Sequence, residues 1–256
     1  MRGGSQPALL RGEDGRFYVV KFRNNPQHAR ILANEMIVGR LAQRIGLPAT
    51  AAFVDVPQEL IHHTPELQFD FGVEKQPCEP GLQFGSQYPG EPGETLVVDF
   101  LPDRFLRHVQ NLESAFLGAF LLDKWTCNCD GRQVVFFRNT NDGAGGYQAL
   151  LIDHGFCFND GEWGFPDSPM RCIYPRRLVY ETVRGFNSFQ PWLERIENLG
   201  REDLVQCAEG IPEAWCGENP DRLTLLLEQL DVRRKHLRQS VLDARNGGLA
   251  PFPNWK

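Results

Sequence analysis

The chain opens with two short apolar segments, residues 8–10 and 16–22, which are separated by the glycine-bearing turn 12–15. This pattern predicts a β-hairpin, because glycine supplies the positive φ angles that tight turns require. The period of two along the second strand places Lys21 on a largely apolar face. A lysine removed from water needs an anionic partner, since an unpaired buried ammonium is costly.

The next periodic segment predicts a helix that begins at the capping residues 24–26 and ends at Gly46. Its apolar stripe, with intervals of three and four residues, places Glu35 among Ile31, Val38, Ala42 and Ile45. We expect Glu35 to face a cation, and Lys21 is the candidate because both charges interrupt apolar faces. The alternative is that Lys21 extends to water and Glu35 lies at the edge of the stripe.

The middle of the chain is harder to interpret from its pattern. Strands are predicted at residues 51–56 and 94–101, whereas residues 62–93 contain five prolines and five glycines and show no sustained period. This composition predicts a long, partly ordered loop. Within it, the glycines of residues 81–86 are compatible with a phosphate-contacting turn, but two glycines at that spacing are a very weak signal and a loop is the first interpretation.

Helical spacing returns over residues 103–126 and leads into a polar segment, 127–133, which contains Asn128, Asp130 and Gln133. Two strand-like segments, 134–137 and 147–152, flank a glycine-rich turn and predict a second hairpin. Its returning strand ends at Asp153, which is followed by His154 and Gly155. Functional side chains often lie at such strand exits.

Composition and charge exclude several classes of function. With 27 Lys and Arg against 33 Asp and Glu, the net charge is −6, which disfavours a nucleic-acid partner. No apolar run approaches the roughly 20 residues that span a bilayer. The start shows no secretory signal, so we expect a cytoplasmic protein. The 7 cysteines have no regular spacing and predict reduced thiols. The basic run 233–235 is interpreted as a solvated helix face.

Taken in order, these features are the parts that phosphoryl transfer requires. A strand lysine steadies phosphates, a helix glutamate holds the lysine, one aspartate orients the acceptor hydroxyl, and another binds magnesium. The sequence resembles the HipA-like kinases, a family of the wider protein-kinase and phosphatidylinositol-kinase-like superfamily, over most of its length. The resemblance rests on Gly3-Gly4-Ser5-Gln6-Pro7, Tyr18-Val19-Val20-Lys21, Asn34-Glu35, Trp125, Asn128-Cys129-Asp130 and Leu151-Ile152-Asp153-His154-Gly155.

The resemblance implies an α+β, two-lobed kinase-like fold with ATP bound between the lobes. Residues 1–101 would form a small, β-rich nucleotide-binding lobe with one helix, and residues 102–256 a mostly helical lobe. In a kinase-like lobe a strand precedes the glycine loop, whereas here the glycines almost directly follow Met1. That first strand is missing from the sequence pattern, so either the true chain begins upstream of Met1, which is the interpretation we favour, or the strand is dispensable.

The same resemblance implies roles for individual residues. ATP would be bound by Gly3, Gly4, Ser5, Gln6, Lys21 and Glu35, with Lys21 at the phosphates and Glu35 as its partner. Asp130 would be the catalytic aspartate and Asp153 the Mg²⁺ ligand. His154 stands where protein kinases have phenylalanine, and we interpret it as a packing or hydrogen-bonding residue.

One position departs from the kinase pattern, in which an asparagine five residues after the catalytic aspartate binds a second metal. That position is Val135, which cannot coordinate magnesium. Either Asn128 or Gln133 substitutes as a metal ligand, or a single metal on Asp153 suffices, or turnover is weak. Asp123 satisfies the spacing to an asparagine, but it lies inside the helical pattern, so Asp130 is preferred.

The predicted function is therefore Mg²⁺-assisted transfer of the γ-phosphoryl group of ATP to a hydroxyl acceptor, which the family suggests is a protein Ser or Thr. HipA relatives include toxins of toxin–antitoxin pairs, so an antitoxin-type partner is a further hypothesis. The alternatives are a nucleotide-binding pseudokinase with little turnover, because of Val135, and a kinase for a small molecule or lipid head group.

Overall fold

The computed structural model describes residues 4–140, 146–219 and 221–256. The strands are β1 (Ala8–Arg11), β2 (Phe17–Lys21), β3 (Ala52–Val56), β4 (Gln68–Asp70), β5 (Lys75–Pro77), β6 (Gly81–Gln87), β7 (Thr95–Val98), β8 (Gln133–Asn139) and β9 (Gln148–Ile152). The α-helices are α1 (Arg30–Arg44), α2 (Gln58–His63), α3 (Asp103–Leu106), α4 (Ala119–Thr126), α5 (Trp192–Asn198), α6 (Arg201–Ala208), α7 (Glu213–Cys216), α8 (Asp221–Arg234) and α9 (Leu237–Asn246).

The first sheet has the antiparallel order β1-β2-β6-β3 and carries Lys21, which lies opposite Phe84. One face of the sheet belongs to the main core, where Phe84 packs with the apolar stripe of α1. The other face is covered by α2 and the β4–β5 hairpin, which enclose a smaller apolar cluster around Val20 and Phe22. Because both faces are covered, the strands are held in a fixed position relative to α1.

The second sheet has the order β7-β8-β9, and its register places the start of β8 next to the end of β9. Gln133 at the start of β8 lies opposite Ile152 at the end of β9. The polar segment before β8 and the residue that follows β9 therefore lie at the same end of this hairpin. A π-helical turn, Ser114–Gly118, continues into α4, whose residues are all buried.

The fold class is α+β, as predicted, and both predicted hairpins are present. The predicted small lobe contains the short helix α2 in addition to α1. Helix α1 begins at Arg30 and not at the proline of residues 24–26, because the Asn25 side chain accepts a hydrogen bond from the backbone N–H of Gln27 and forms a turn instead. No helix within the described ranges is long and apolar enough to cross a membrane.

The prediction of a loop over residues 62–93 was wrong, because β4, β5 and β6 lie inside it and β6 is an interior strand. Gln83 is fully buried, and its amide is satisfied by the backbone N–H of Arg23 and the carbonyl of Glu79. Gly85 lies directly beneath Val54 and Tyr18. Because Gln83 is polar and Gly85 has no side chain, this segment lacks the alternating apolar pattern by which a strand is predicted. Residues 81–86 belong to β6 and do not form a phosphate-contacting turn.

The single helix expected over residues 103–126 is divided into α3, the π-helical turn and α4. Between them, the Asn111 side chain binds both the N–H and the carbonyl of Ala149 on β9, each at 2.8 Å. The N–H of Gln110 donates to the carbonyl of Tyr147. The Gln110 N–H and the Asn111 side chain therefore bind the β9 segment, although the Asn111 carbonyl still accepts from the N–H of Ala115.

Gly85 provides a test of the interior position of β6. A methyl group at this position would lie 2.5 Å from Cγ2 of Val54, so that Gly85→Ala must displace the strand or the valine. We expect this substitution to lower the free energy of unfolding by about 1–3 kcal/mol. Gly248→Ala is the matched control, since no atom lies within 4 Å of the added methyl group. Equal midpoints for both variants in chemical denaturation would contradict the assignment.

Candidate active site

Lys21 lies between two carboxylates that come from different elements. Its ammonium donates hydrogen bonds to Glu35 Oε1 on α1 and, over 2.8 Å, to Asp153 Oδ1 at the end of β9. The side chains of Lys21 and Glu35 are 9% and 2% exposed, whereas that of Asp153 is 27% exposed. The structure thus contains the predicted Lys21–Glu35 pair and extends it to Asp153.

The charges of this cluster shift the pKa of each member. Burial disfavours the ammonium, but Glu35 and Asp153 outweigh that effect and raise the pKa of Lys21. Burial also disfavours the Asp153 carboxylate, yet Lys21 outweighs it and lowers the pKa of Asp153. Burial raises the pKa of Glu35, and Lys21 offsets only part of that change. Of the two carboxyl groups, Asp153 is therefore the one whose pKa is lowered and which has access to solvent.

The backbone around Asp153 is bent and docks directly on α1. Asp153 has a left-handed φ of 57°, and the next N–H, that of His154, donates to Glu35 Oε2 over 2.8 Å. Gly155 follows, and a methyl group there would lie 2.7 Å from Cγ2 of Ile31. Glycine is needed at this position because the backbone passes so close to the helix.

His154 has a structural environment. Its ring is buried, and Nδ1 lies 3.1 Å from Nη1 of Arg132. A guanidinium only donates, so Nδ1 accepts the hydrogen bond. Burial, followed by the positive charge of Arg132, lowers the pKa of His154 well below its ordinary value. A neutral, buried ring agrees with the interpretation of His154 as a packing and hydrogen-bonding residue.

Asp130 lies in an exposed turn at the same end of the β8–β9 hairpin as Asp153. Its own N–H donates to Asn128 Oδ1, and its Oδ1 accepts from the N–H of Gly131 over 2.7 Å. The N–H of Cys129 donates to the carbonyl of Phe156, which ties this turn to the segment that follows Asp153. Asp130 is therefore held in a defined turn, and its second oxygen, Oδ2, accepts a long hydrogen bond of 3.4 Å from the amide nitrogen of Gln133.

A buried ion pair between Asp123 and Arg132 lies next to the Asp130 turn in the chain. Asp123 on α4 accepts from Nε of Arg132 over 3.0 Å and also from Nη2, and both side chains are almost fully buried. Arg132 Nη1 also donates to the carbonyl of Ile152. The carboxylate of Asp123 is engaged by Arg132, which disfavours the alternative in which Asp123 is the catalytic residue.

The two proposed substitute metal ligands differ in their surroundings. Asn128 is 1% exposed; its amide donates to Asp123 Oδ1 over 3.1 Å, and its oxygen accepts from Asp130. Gln133, in contrast, is exposed at the start of β8. We therefore expect Asn128 to position the Asp130 turn and keep Gln133 as the more available ligand.

The predicted ATP-binding segment at the start of the chain is partly described. Gly3 lies outside the described residues. Gly4 and the buried Ser5 precede β1, whose first residue pairs with Val20, so this turn approaches the sheet at the end where Lys21 lies. The side chain of Gln6 binds the N–H and the carbonyl of Asp70, at 2.9 and 2.8 Å. Gln6 thus connects this segment to the β4–β5 hairpin.

Sequence reasoning assigned no role to the side chain of Asn34, which organises the backbone beyond Asp153. Its amide nitrogen lies 2.6–3.0 Å from the carbonyls of Gly155, Cys157 and Asp160, and its oxygen accepts from the indole N–H of Trp163. Residues 158–160 all have left-handed φ angles, which are unfavourable for residues other than glycine. The signal for Asn34 was its polarity next to Glu35 within a helix that is otherwise apolar on this face.

The donor set is suited to magnesium bound together with a nucleotide. In the described part of the chain, no group of three or more His, Cys, Asp and Glu side chains is arranged to hold a metal. Mg²⁺, however, is commonly held by one or two protein carboxylates together with water and substrate phosphates. The ionised, partly exposed carboxylate of Asp153 fits that role, and Lys21 beside it can face the same phosphates.

Solved structures of similar fold are kinases of low sequence identity. A structure described as the Golgi casein kinase has a TM-score of 0.53 and 14% identity, over 98% of this chain and 73% of that one. A second structure of the Golgi casein kinase, with Mn and ADP bound, has a TM-score of 0.50 and 15% identity, over 96% and 72% of the chains. The structure of hydra Fam20 with sugar has a TM-score of 0.53 and 12% identity, over 96% and 83%. These similarities establish a kinase-like fold.

The sequence itself identifies the family. Among curated proteins, none matches this chain significantly in sequence. The profile of the family described as HipA-like kinase matches residues 1–244, which is nearly the whole chain. The chain therefore belongs to the HipA-like kinase family.

Proposed function

We propose that this chain transfers the γ-phosphoryl group of ATP to a hydroxyl acceptor, a protein Ser or Thr. The observation that carries the proposal is the Lys21–Glu35–Asp153 cluster, with the Asp130 turn at the same end of the β8–β9 hairpin. Lys21 contacts the phosphates and Asp153 holds Mg²⁺, which neutralises phosphate charge when bound. Asp130 accepts a hydrogen bond from the acceptor hydroxyl and orients it toward the phosphorus. The kinase-like fold and the family support this assignment.

One cavity of the structure is a candidate binding site for the nucleotide base. It measures about 440 Å³ and lies between the end of β6 and the β8–β9 hairpin, with Gln87, Tyr88, Phe137 and Leu150 among its lining residues. Leu150 precedes Asp153 by three residues, which in a strand is about 10 Å. Ribose and phosphates can bridge that span. We place the base in this cavity and the outer phosphates at Lys21 and Asp153.

A protein acceptor is supported by the description of a similar solved structure as a casein kinase, which makes dephosphorylated casein a suitable first acceptor probe. A small-molecule or lipid hydroxyl would use the same residues and differ in what contacts the Asp130 side of the site. An antitoxin-type partner stays a prediction.

One observation favours a second candidate function, a nucleotide-binding pseudokinase. Val135 lies on β8 opposite Leu150, at the position where the kinase pattern has a metal-binding asparagine. If Gln133 does not replace that ligand, the chain would bind the nucleotide through Lys21 and Asp153 and turn it over slowly.

Asp130 separates the kinase from the pseudokinase. We expect Asp130→Asn to reduce Mg²⁺-dependent transfer of label from γ-³²P-ATP to casein by at least about 100-fold, because the neutral amide oxygen is a weaker acceptor for the hydroxyl and cannot take up its proton. Nucleotide affinity, measured by calorimetry, should remain within about twofold of the wild-type value because Asp130 contacts the acceptor and not the nucleotide. Asp243→Asn, an exposed aspartate on α9, is the control. Equal transfer by wild type and Asp130→Asn would refute the catalytic role.

Asp153 should control binding of the metal with its nucleotide. Wild type should gain thermal stability from ADP only when Mg²⁺ is present, because a ligand that binds the native state alone stabilises it. We expect Asp153→Asn, which keeps the shape of the side chain, to abolish that Mg²⁺-dependent gain, as EDTA does for the wild type. A gain of the same size in the Asp153→Asn variant would show that the metal binds elsewhere.

Lys21 should contribute to stability as well as to activity. Lys21→Met leaves Glu35 and Asp153 facing each other without a cation, which should lower the free energy of unfolding by about 3–5 kcal/mol. Glu35→Gln keeps the shape and leaves Lys21 paired with Asp153, so its loss should be clearly smaller. Urea denaturation of the two variants measures both values. A smaller loss for Lys21→Met than for Glu35→Gln would contradict this account of the cluster.

A further inference from the structure

Arg233, near the end of α8, connects two segments that are distant in sequence. Its Nε donates to the carbonyl of Trp125 and its Nη2 to the carbonyl of Lys124, each over 2.8 Å. On its other side, Nη1 and Nη2 hold both carboxylate oxygens of Asp167, at 2.6 and 2.7 Å. The guanidinium also lies 4.5 Å from the centre of the Phe165 ring. The expectation that residues 233–235 cover a solvated face was therefore wrong for Arg233, which is 13% exposed.

The two carbonyls belong to the last turn of α4, which leads directly into the Asp130 turn. The last carbonyls of a helix have no partner within that helix and need one from elsewhere. Here the carbonyl of Thr126 accepts from the N–H of Phe158, and Arg233 supplies donors for the two preceding carbonyls. A positive charge at a helix C-terminus is also favourable. Arg233 thus holds the end of the helix that positions Asp130.

The other partners of Arg233 lie in a segment that we call the acceptor-side loop, residues 165–172. Lys124 donates to the carbonyls of Ser168 and Pro169, at 3.1 and 3.0 Å. The thiol of Cys172 lies 3.2 Å from the carbonyl of Asn128, two residues before Asp130. The loop therefore contacts the Asp130 turn at Asn128, and its Met170 is exposed.

In many protein kinases, a loop in this part of the chain is ordered only after phosphorylation, when arginines bind the added phosphate. Here the carboxylate of Asp167 already forms a bidentate pair with Arg233. Guanidinium groups prefer this geometry for carboxylates and phosphates alike. The negative charge that holds the loop is therefore the Asp167 side chain and not an added phosphate.

We propose that Arg233 is a positioning residue that couples the acceptor-side loop to the Asp130 turn through Asp167, so that the acceptor site is formed without phosphorylation of the loop. The loop is then the wall against which a protein acceptor docks. This inference rests on the proposed kinase function. Asp167 is 62% exposed, so changing it tests the coupling with little risk to the fold.

The variant Asp167→Asn removes the charge and keeps the shape, Asp167→Glu restores a carboxylate, and Lys235→Gln is a control on α8 whose exposed lysine pairs with Asp231. Hydrogen exchange measured by mass spectrometry reports the coupling without any need for activity. In Asp167→Asn, we expect protection to fall about tenfold both in residues 165–172 and in residues 126–131, as a shared opening requires. Asp167→Glu should recover most of it, and Lys235→Gln should match wild type.

The activity arm uses transfer from radiolabelled MgATP to dephosphorylated casein. Asp167→Asn should lower kcat/KM for casein about tenfold and leave MgATP affinity within about twofold, since the loop faces the acceptor and not the nucleotide. Phosphatase treatment of wild type should change neither value. A loss of protection confined to residues 165–172, or a phosphatase-sensitive rate, would overturn the proposal. If wild type consumes no MgATP and labels neither casein nor itself, the proposed function fails separately, and the exchange pattern still decides the coupling.

Discussion

The ammonium of Lys21, shared between Glu35 and Asp153, is the interaction on which the rest of the site depends. Its partners lie 14 and 132 residues away along the chain, on α1 and at the end of β9. Burying Glu35 without the cation would cost several kcal/mol, so the pairing with Lys21 and Asp153 stabilises the mutual arrangement of strand, helix and hairpin. The same arrangement leaves Asp153 ionised and partly exposed, which is the state that a metal ligand requires.

Beyond Asp153 the backbone is irregular, and side chains take over the role of regular hydrogen bonding. Asn34 binds three carbonyls of residues 155–160, and Arg233 and Lys124 bind carbonyls or carboxylates on both sides of the Asp130 turn. Buried carbonyls need donors, and a segment with left-handed residues cannot obtain them from a helix or a sheet. Conformation at the candidate active site is thus held by amide, guanidinium and ammonium groups from helices outside it.

Local sequence patterns were sufficient to predict an element where the polarity of each residue matches its burial in the structure. The first hairpin, α1, the β8–β9 hairpin and the Lys21–Glu35 pair all followed from periodicity and from charges that interrupt apolar faces. Strand β6 did not, because Gln83 is buried with its amide satisfied by distant backbone groups and Gly85 is small only to accommodate Val54. The same rule about buried charges, applied to Asp123 in its apolar helix, would have indicated a cation and pointed toward Arg132.

By itself the sequence determined the two hairpins, the presence of α1 and the types of side chain available for phosphoryl transfer, since these depend on residues close together in the chain. Only the tertiary structure decided which charges meet beyond the Lys21–Glu35 pair. Lys21 is 132 residues from Asp153, and Arg233 is 66 residues from Asp167 and 108 from Trp125; no periodicity carries information over such separations. Lys21 meets Asp153, and Arg233 binds the end of the helix that leads to Asp130, only in the packed arrangement of the two sheets, α4 and α8.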